Sequence, residues 1–60
     1  MSVSLMEMIN EADRLAALFR TGFVPAVILK ERLVGLGFYR VHVSPDRRIS
    51  ATLNEVRWQL

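Results

Sequence analysis

The apolar residues of this 60-residue chain change their spacing at Gly37. Before Gly37 they recur every three to four residues, as on one side of an α-helix, and after it they alternate with polar residues, as on one face of a β-strand. Two periods in one chain favour a two-layer α+β domain, in which helices pack on one face of a sheet. The length leaves room for one such domain, residues 1–60, and for no second.

The first helix is predicted at about residues 5–20. Ser4 and Glu7 form a capping box, in which each side chain hydrogen-bonds a free backbone N–H at the helix start, and Val3 and Met8 occupy the flanking staple positions. A stripe of apolar residues predicts the side that packs into the core: Leu5, Met8, Ile9, Ala12, Leu15, Ala16 and Phe19.

Glycine and proline mark the ends of both predicted helices. Gly22 can adopt the left-handed conformation that ends a helix. Pro25 suits the first position of a second helix at about residues 25–36, because the N–H that proline lacks has no partner there. Gly35 and Gly37 are expected to stop this helix, since two glycines so close are costly inside one.

The second helix is apolar on two sides. Val27 and Val34 lie away from the main apolar stripe and beside charged residues, so we expect this helix to be either sandwiched within its own domain or buried against a partner, with Val27 and Val34 as the candidate interface residues. Met6, toward the rim of the first helix, is expected to join that interface. The main stripe consists of Ala26, Leu29, Leu33 and Leu36.

Three strands are predicted after Gly37, at about residues 38–43, 48–53 and 56–60, as an antiparallel meander. The segment from Ser44 to Arg47 has turn chemistry, and Asn54-Glu55 suits a two-residue turn. One pairing register keeps the apolar side chains on the same face of the sheet. Its pairs are Val43–Ile49, Val41–Ala51 and Tyr39–Leu53 for the first two strands, and Leu53–Val56, Ala51–Trp58 and Ile49–Leu60 for the last two.

The opposite face of the predicted sheet is basic and contains no acidic residue. Guanidinium groups bind phosphates, and an exposed aromatic ring can stack on a base. This face therefore predicts that the partner is DNA or RNA. An antiparallel sheet also commonly leaves one polar face in water, which is the alternative. The candidate nucleic-acid-binding residues are Phe38, Arg40, His42, Arg57 and, at the hairpin tip, Arg47 and Arg48.

No candidate catalytic, metal or cofactor site emerges from the sequence. His42 is the only histidine and cysteine is absent, so no metal-ligand set is present. A Gly-rich phosphate loop is also missing, and a chain of this length offers little room for a catalytic pocket. We expect a non-enzymatic protein in the cytoplasm, because it has no cysteine for disulfides, no basic leader and no apolar run long enough to cross a membrane.

The segment from Leu29 to Leu53 resembles the recognition helix and wing of winged-helix regulators of the MarR type. In those proteins a helix ends in a leucine-rich turn and a glycine, and a hairpin follows whose tip is close to Ser-Pro-Asp-Arg-Arg. The resemblance implies that Arg47 and Arg48 are wing residues that enter the minor groove of DNA. The matching residues are Leu33, Leu36, Gly37, Phe38, Arg40, Ser44, Pro45, Asp46, Arg47, Arg48 and Leu53.

Two functions are therefore expected. The first is a small, non-catalytic, nucleic-acid-binding regulatory protein that uses the arginine-rich sheet face and the hairpin tip. The alternative is a homo-oligomeric protein–protein interaction module or an inhibitor of a larger protein. The two are compatible, because many small nucleic-acid-binding proteins are dimers.

Overall fold

The computed structural model describes residues 4–60, and it confirms the predicted α+β fold. The sheet has the strand order β1-β2-β3, and both neighbouring pairs are antiparallel. Every predicted boundary lies within one residue of the observed one. The elements are α1 (Leu5–Arg20), α2 (Ala26–Leu36), β1 (Tyr39–Val43), β2 (Ile49–Leu53) and β3 (Val56–Gln59).

Helix α1 begins at the predicted cap. The hydroxyl oxygen of Ser4 accepts a hydrogen bond from the backbone N–H of Glu7, at 3.2 Å. This bond satisfies one of the backbone donors that a helix start leaves without an internal partner. The predicted staple cannot be placed in the same way, because Val3 lies outside the described residues.

Both helices end in the same motif, a left-handed glycine followed by a phenylalanine. In α1, Gly22 has a φ of 86°, and the N–H of Phe23 donates to the carbonyl oxygen of Leu18 at 2.9 Å. In α2, Gly37 has a φ of 108°, and the N–H of the next residue donates to the carbonyl oxygen of Leu33 at 3.0 Å. These bonds satisfy carbonyl groups that the helix ends leave free.

Helix α2 differs from the prediction in two details. Pro25 precedes the first helical residue, and its carbonyl oxygen accepts from the N–H of Leu29 at 3.0 Å. Gly35 does not stop the helix, which continues to Leu36. A Cβ atom added to Gly35 would meet nothing within 4 Å. The prediction failed here because one glycine costs a helix only about 1 kcal/mol, which tertiary packing outweighs.

The hairpin between β2 and β3 turns over two residues, as predicted. Asn54 and Glu55 have φ values of 55° and 63°, and two positive values identify the type I′ turn, whose twist matches that of the strands. The predicted pairs Leu53–Val56 and Ala51–Trp58 are confirmed, and the N–H of Leu60 donates to the carbonyl oxygen of Ile49 at 2.8 Å.

The hairpin between β1 and β2 contains a bulge that the sequence did not predict. Near the tip the predicted pair Val43–Ile49 is confirmed, but the register shifts between Tyr39 and His42. Tyr39 lies opposite Thr52, so its predicted pairing with Leu53 is wrong. The extra residue is Arg40, whose φ of 52° is a left-handed conformation usually taken by glycine.

The bulge determines which of two neighbouring aromatic side chains enters the core. Phe38 is 2% exposed and lies among the buried residues, whereas Tyr39 is 45% exposed. The prediction that Phe38 lies on the basic outer face is therefore wrong, and so is the inward placement of Tyr39. One extra residue in a strand is enough to exchange the faces of its neighbours.

The core lies between the helices and one face of the sheet. Its residues are apolar, and none of the buried residues among 4–60 is polar or charged. Trp58 packs against this core, and its indole N–H donates to the carbonyl oxygen of Leu53 at 3.2 Å. The buried set is Ala12, Leu15, Ala16, Leu29, Leu33, Phe38, Ile49, Ala51 and Leu53.

Candidate nucleic-acid interface

The outer face of the sheet is the candidate site, and we call it the cationic face. Residues that pair across strands share a face, so Tyr39, Thr52 and Arg57 form one row across the sheet. A second row carries the His42 imidazole. Arg48 precedes the inward-facing Ile49 and so projects to the outer side. The face consists of Tyr39, Arg40, His42, Arg48, Ser50, Thr52, Arg57 and Gln59.

Arg57 is the best-anchored side chain of the cationic face. Its Nη1 atom donates to the carbonyl oxygen of Arg40 and to the hydroxyl of Thr52, the latter at 3.1 Å. Its Nη2 atom donates to the hydroxyl of Ser50 at 2.8 Å. The guanidinium thus reaches from β3 across β2 to the bulge in β1. Of its five N–H donors, three are used here, and the rest are available to another acceptor.

Arg40 and His42 are the residues of the cationic face whose side chains are least held by the rest of the protein. Both are exposed. Within residues 4–60, neither side chain forms an ion pair or an intramolecular hydrogen bond. An arginine whose guanidinium is not engaged by the protein can offer its planar fork to a phosphate group. Arg40 directly follows the exposed Tyr39 in the sequence.

Arg48 lies at the edge of the cationic face, within a small network at the hairpin tip. Its Nε atom is 3.1 Å from a carboxylate oxygen of Asp46. Ser44 donates its hydroxyl hydrogen to the other oxygen of that carboxylate and accepts from the N–H of Arg48 at 3.1 Å. The hydrogen bond from Ser44 is the largest cause that lowers the pKa of Asp46. Desolvation opposes it, and the backbone N–H of Arg48 adds a smaller lowering. Asp46 therefore serves the turn and partly neutralises Arg48.

Arg47 points to the helix side of the molecule. Its φ of 66° is left-handed, and its Nη1 atom donates to the carbonyl oxygen of Arg20, at the end of α1, at 3.2 Å. The guanidinium also lies 5.6 Å from the centre of the Phe19 ring, within the range of a cation–π contact. The structure thus separates Arg47 from the other arginines, although the sequence grouped them.

Of the six residues predicted to bind nucleic acid, four are exposed residues in or next to the strands that form this face. They are Arg40, His42, Arg48 and Arg57, whereas Phe38 is buried and Arg47 contacts α1. Tyr39 takes the place of Phe38 as the aromatic residue of the face. The polarity of its hydroxyl is the one sequence signal that favoured tyrosine over phenylalanine for the exposed position.

The three residues predicted to form a protein interface are exposed. Val27 and Val34 are 64% and 60% exposed on α2, and Met6 is 67% exposed on the first turn of α1. The two valines share one side of a single helix. Met6 belongs to the other helix, so its part in the same interface stays a prediction.

Two surface grooves in the described part of the chain lie away from the exposed cationic face. One groove, of about 350 Å³, is lined by Leu5, Met8, Leu53 and Asn54, and another lies between the two helices. Neither contains a residue of the cationic face. An open, polar surface fits an extended polymer better than a small molecule, which is usually enclosed on several sides.

Residues 4–60 contain neither a cluster of metal ligands nor a helix that could span a membrane. No three histidine, cysteine, aspartate or glutamate side chains lie close enough to hold a metal ion. Neither helix in this part of the chain combines the length and the apolar character needed to cross a bilayer.

No protein-family model matches the chain, and comparisons with characterised proteins and with solved structures find no significant similarity. The geometry of the cationic face is therefore the basis for the function proposed next.

Proposed function

We propose that this protein is a small, non-catalytic regulatory protein that binds single-stranded nucleic acid on its cationic face. The observation that carries the proposal is the row of Tyr39, Thr52 and Arg57 across the sheet, together with the hydrogen bond from the Arg57 guanidinium to the carbonyl oxygen of the exposed Arg40. None of the residues on this surface is Asp or Glu. Phosphate groups would meet guanidinium groups there, and a base would find an aromatic ring to stack on.

The residues of the face have different roles in this proposal. Arg57 supplies a charge held in place by Ser50, Thr52 and the bulge, so little conformational entropy is lost when a phosphate binds. Arg40 supplies a second guanidinium that can adjust to the strand. Tyr39 stacks on a base, a contact that tolerates every sequence because every base has a π-face.

Single strands are preferred over duplexes for a geometric reason. A sheet face with an exposed aromatic ring reaches bases only when they are unstacked and turned outward. The resemblance to winged-helix regulators favours duplex DNA, through Arg47 and Arg48. Arg47 contacts Phe19 and Arg20 instead, so a duplex mode would require it to leave α1.

Fluorescence anisotropy with labelled oligonucleotides tests the proposal. Single-stranded RNA, single-stranded DNA and duplex DNA of about 12 nucleotides would be titrated at two salt concentrations, since single-strand sites span about 4–16 nucleotides. We expect single strands to bind more tightly than the duplex, and affinity to fall steeply with added salt as counterions are released. Absence of binding at low salt would reject the proposal.

Substitutions distinguish binding at the cationic face from binding that depends on the net charge of the protein alone. Tyr39→Ala should weaken single-strand binding by about tenfold, since stacking contributes about 1–3 kcal/mol per base. Arg40→Ala should weaken it by a similar factor, because a guanidinium that contacts a phosphate group is lost. Arg14→Ala is the matched control, because it removes one exposed arginine from α1 and leaves the sheet unchanged. Equal losses for Arg14→Ala and Arg40→Ala would mean that binding depends on total charge alone.

A further inference from the structure

Strand β3 lies at one edge of the sheet, and β2 is its only strand neighbour within residues 4–60. The N–H of Leu60 donates to a carbonyl oxygen of β2. Because alternate residues of an antiparallel strand direct their backbone groups to the same neighbour, Trp58 and Val56 also face β2. The N–H and C=O groups of Arg57 and Gln59 therefore point away from the sheet. We call these backbone groups the β3 edge.

The β3 edge is the more regular of the two edges of the sheet. The other edge, on β1, is interrupted by the bulge at Arg40. Strand β3 pairs with β2 without a bulge, and it contains no proline, no lysine and no charged residue on the inner face. Proteins commonly use such features to prevent the addition of a further strand. Their absence from β3 makes its edge suitable for pairing.

Strand β3 is complementary to itself in an antiparallel register centred on Trp58. A two-fold axis perpendicular to the sheet then places Arg57 of each copy opposite Gln59 of the second copy, with their free backbone groups directed at each other. The side chains in this pair carry no like charges. On the inner face, Val56 lies opposite Leu60 of the second copy. A register centred on Arg57 would instead oppose two arginines, which is unfavourable.

We propose that two copies of the chain pair through their β3 edges in the register centred on Trp58, which joins their sheets into one of six strands. Each Arg57–Gln59 pair would exchange two backbone hydrogen bonds. Val56 shares the inner face with Leu53 but is 48% exposed, and Leu60 of the second copy would cover it. The self-complementary register is the argument for a second copy as the occupant, because a closed two-fold interface needs a surface that fits itself. The inference is independent of nucleic-acid binding.

The predicted dimer is weak and concentration-dependent. A strand of four residues is about 14 Å long, so the contact falls in the small class of interfaces. We therefore expect reversible association that sedimentation equilibrium detects over a series of about 10 μM to 1 mM, as for other contacts of that class. Amide hydrogen exchange at Arg57 and Gln59 should slow as the concentration rises, because their N–H groups become hydrogen-bonded.

A pair of substitutions at Gln59 tests the role of the backbone. Gln59→Pro removes an N–H that points to the free edge and no bond to β2, so the monomer should keep its fold. It should raise the dissociation constant by about tenfold or more, since two of the backbone hydrogen bonds in the dimer are lost. Gln59→Thr also removes the glutamine side chain but keeps the N–H, and it should leave the constant within about threefold. Circular dichroism would confirm the fold of each variant.

Charged residues at position 59 test the register. Gln59→Glu places a carboxylate opposite Arg57 of the second copy and should lower the dissociation constant by about threefold or more. Gln59→Arg places two arginines opposite each other and should raise the constant by about tenfold. Lys30→Gln and Glu31→Gln are the matched controls, because they give the same net charges through exposed residues of α2 and should leave association unchanged.

Three results would overturn the proposal. The first is a chain that remains monomeric throughout the concentration series. The second is an equal dissociation constant for Gln59→Pro and Gln59→Thr, because association would then not use the β3 edge. The third is equal effects of the variants at position 59 and their controls on α2, because association would then depend on net charge and not on the register.

Discussion

The guanidinium of Arg57, on the last strand, hydrogen-bonds the carbonyl oxygen of Arg40, the bulged residue of the first strand. Between them lies β2, whose Ser50 and Thr52 hydroxyls accept from the same guanidinium. The bulge that Arg57 contacts is also the feature that turns Tyr39 outward. One side chain therefore joins all three strands and supports the arrangement of the cationic face.

Replacing Arg57 by lysine should destabilise the protein while keeping its charge. An ammonium group on a flexible chain cannot reach three acceptors in the geometry of the planar guanidinium. We expect the free energy of unfolding to fall by about 1 kcal/mol, because the lost bonds are exposed and water replaces them in part. Urea denaturation measures this change. Arg14→Lys, on the surface of α1, serves as the control, and an equal loss in both variants would refute the role given to Arg57.

The neighbouring aromatic residues should differ sharply in their contribution to stability. Phe38→Ala removes a buried ring and should cost about 3–5 kcal/mol, which is enough to unfold much of a domain of this size. Tyr39→Ala should cost about 1 kcal/mol or less, because the ring is half exposed. Thermal unfolding compares the two. Similar losses would contradict the inward placement of Phe38 and the bulge that accompanies it.

Two glycines close together in sequence should respond to alanine with opposite signs. Gly35 lies inside α2 with open space around its Cα, so Gly35→Ala should stabilise the protein by about 0.5–1 kcal/mol. Gly37 has a φ of 108°, so Gly37→Ala forces a left-handed alanine and should destabilise by at least about 1 kcal/mol. Urea midpoints of the two variants test the pair. A stabilising Gly37→Ala would show that the helix ends differently.

The hairpin tip should make stability depend on pH in the acidic range. The Ser44 hydroxyl and the Arg48 N–H hold the pKa of Asp46 below its ordinary value, so the ionised carboxylate favours the folded state. That contribution is fully present above the unfolded pKa of about 3.9 and is lost as the pH falls through the lower, folded pKa. The melting temperature of the unmodified chain should therefore exceed that of Asp46→Asn at about pH 6 and approach it at about pH 2.

The matched control for this experiment is Asp13→Asn, which removes an exposed carboxylate from α1. The difference in melting temperature between Asp13→Asn and the unmodified chain should not change with pH in the way predicted for Asp46→Asn. A constant difference between Asp46→Asn and the unmodified chain down to about pH 2 would mean that the tip network does not stabilise the fold.

Periodicity was sufficient for much of this fold. The helices follow from their apolar stripes and caps, and the pairing of β2 with β3 follows from strict alternation joined by a two-residue turn. That turn allows one register, and a slip would have exposed Ala51 and buried Thr52. The outward position of His42, Arg48 and Arg57 follows from the same alternation.

The bulge could not be predicted from the same pattern. Phe38 and Tyr39 are both aromatic, so either could take the inward position, and the alternation that begins at Val41 says nothing about a residue inserted before it. The bulge is supported by Arg57, which lies 17 residues away in sequence. The hydrogen bond from Arg47 to the carbonyl oxygen of Arg20 likewise joins two residues that are 27 positions apart in the sequence. Contacts of this kind depend on how the elements pack, which local spacing does not encode.

The most direct test of the cationic face is an amide chemical-shift titration of the ¹⁵N-labelled chain with an unlabelled single-stranded RNA at low salt. We predict that the largest shifts fall on Tyr39, Arg40, Thr52 and Arg57, while Val27 and Val34 on α2 change little. Shifts concentrated on the helices, or none at saturating RNA, would contradict the proposal that the outer face of the sheet binds nucleic acid.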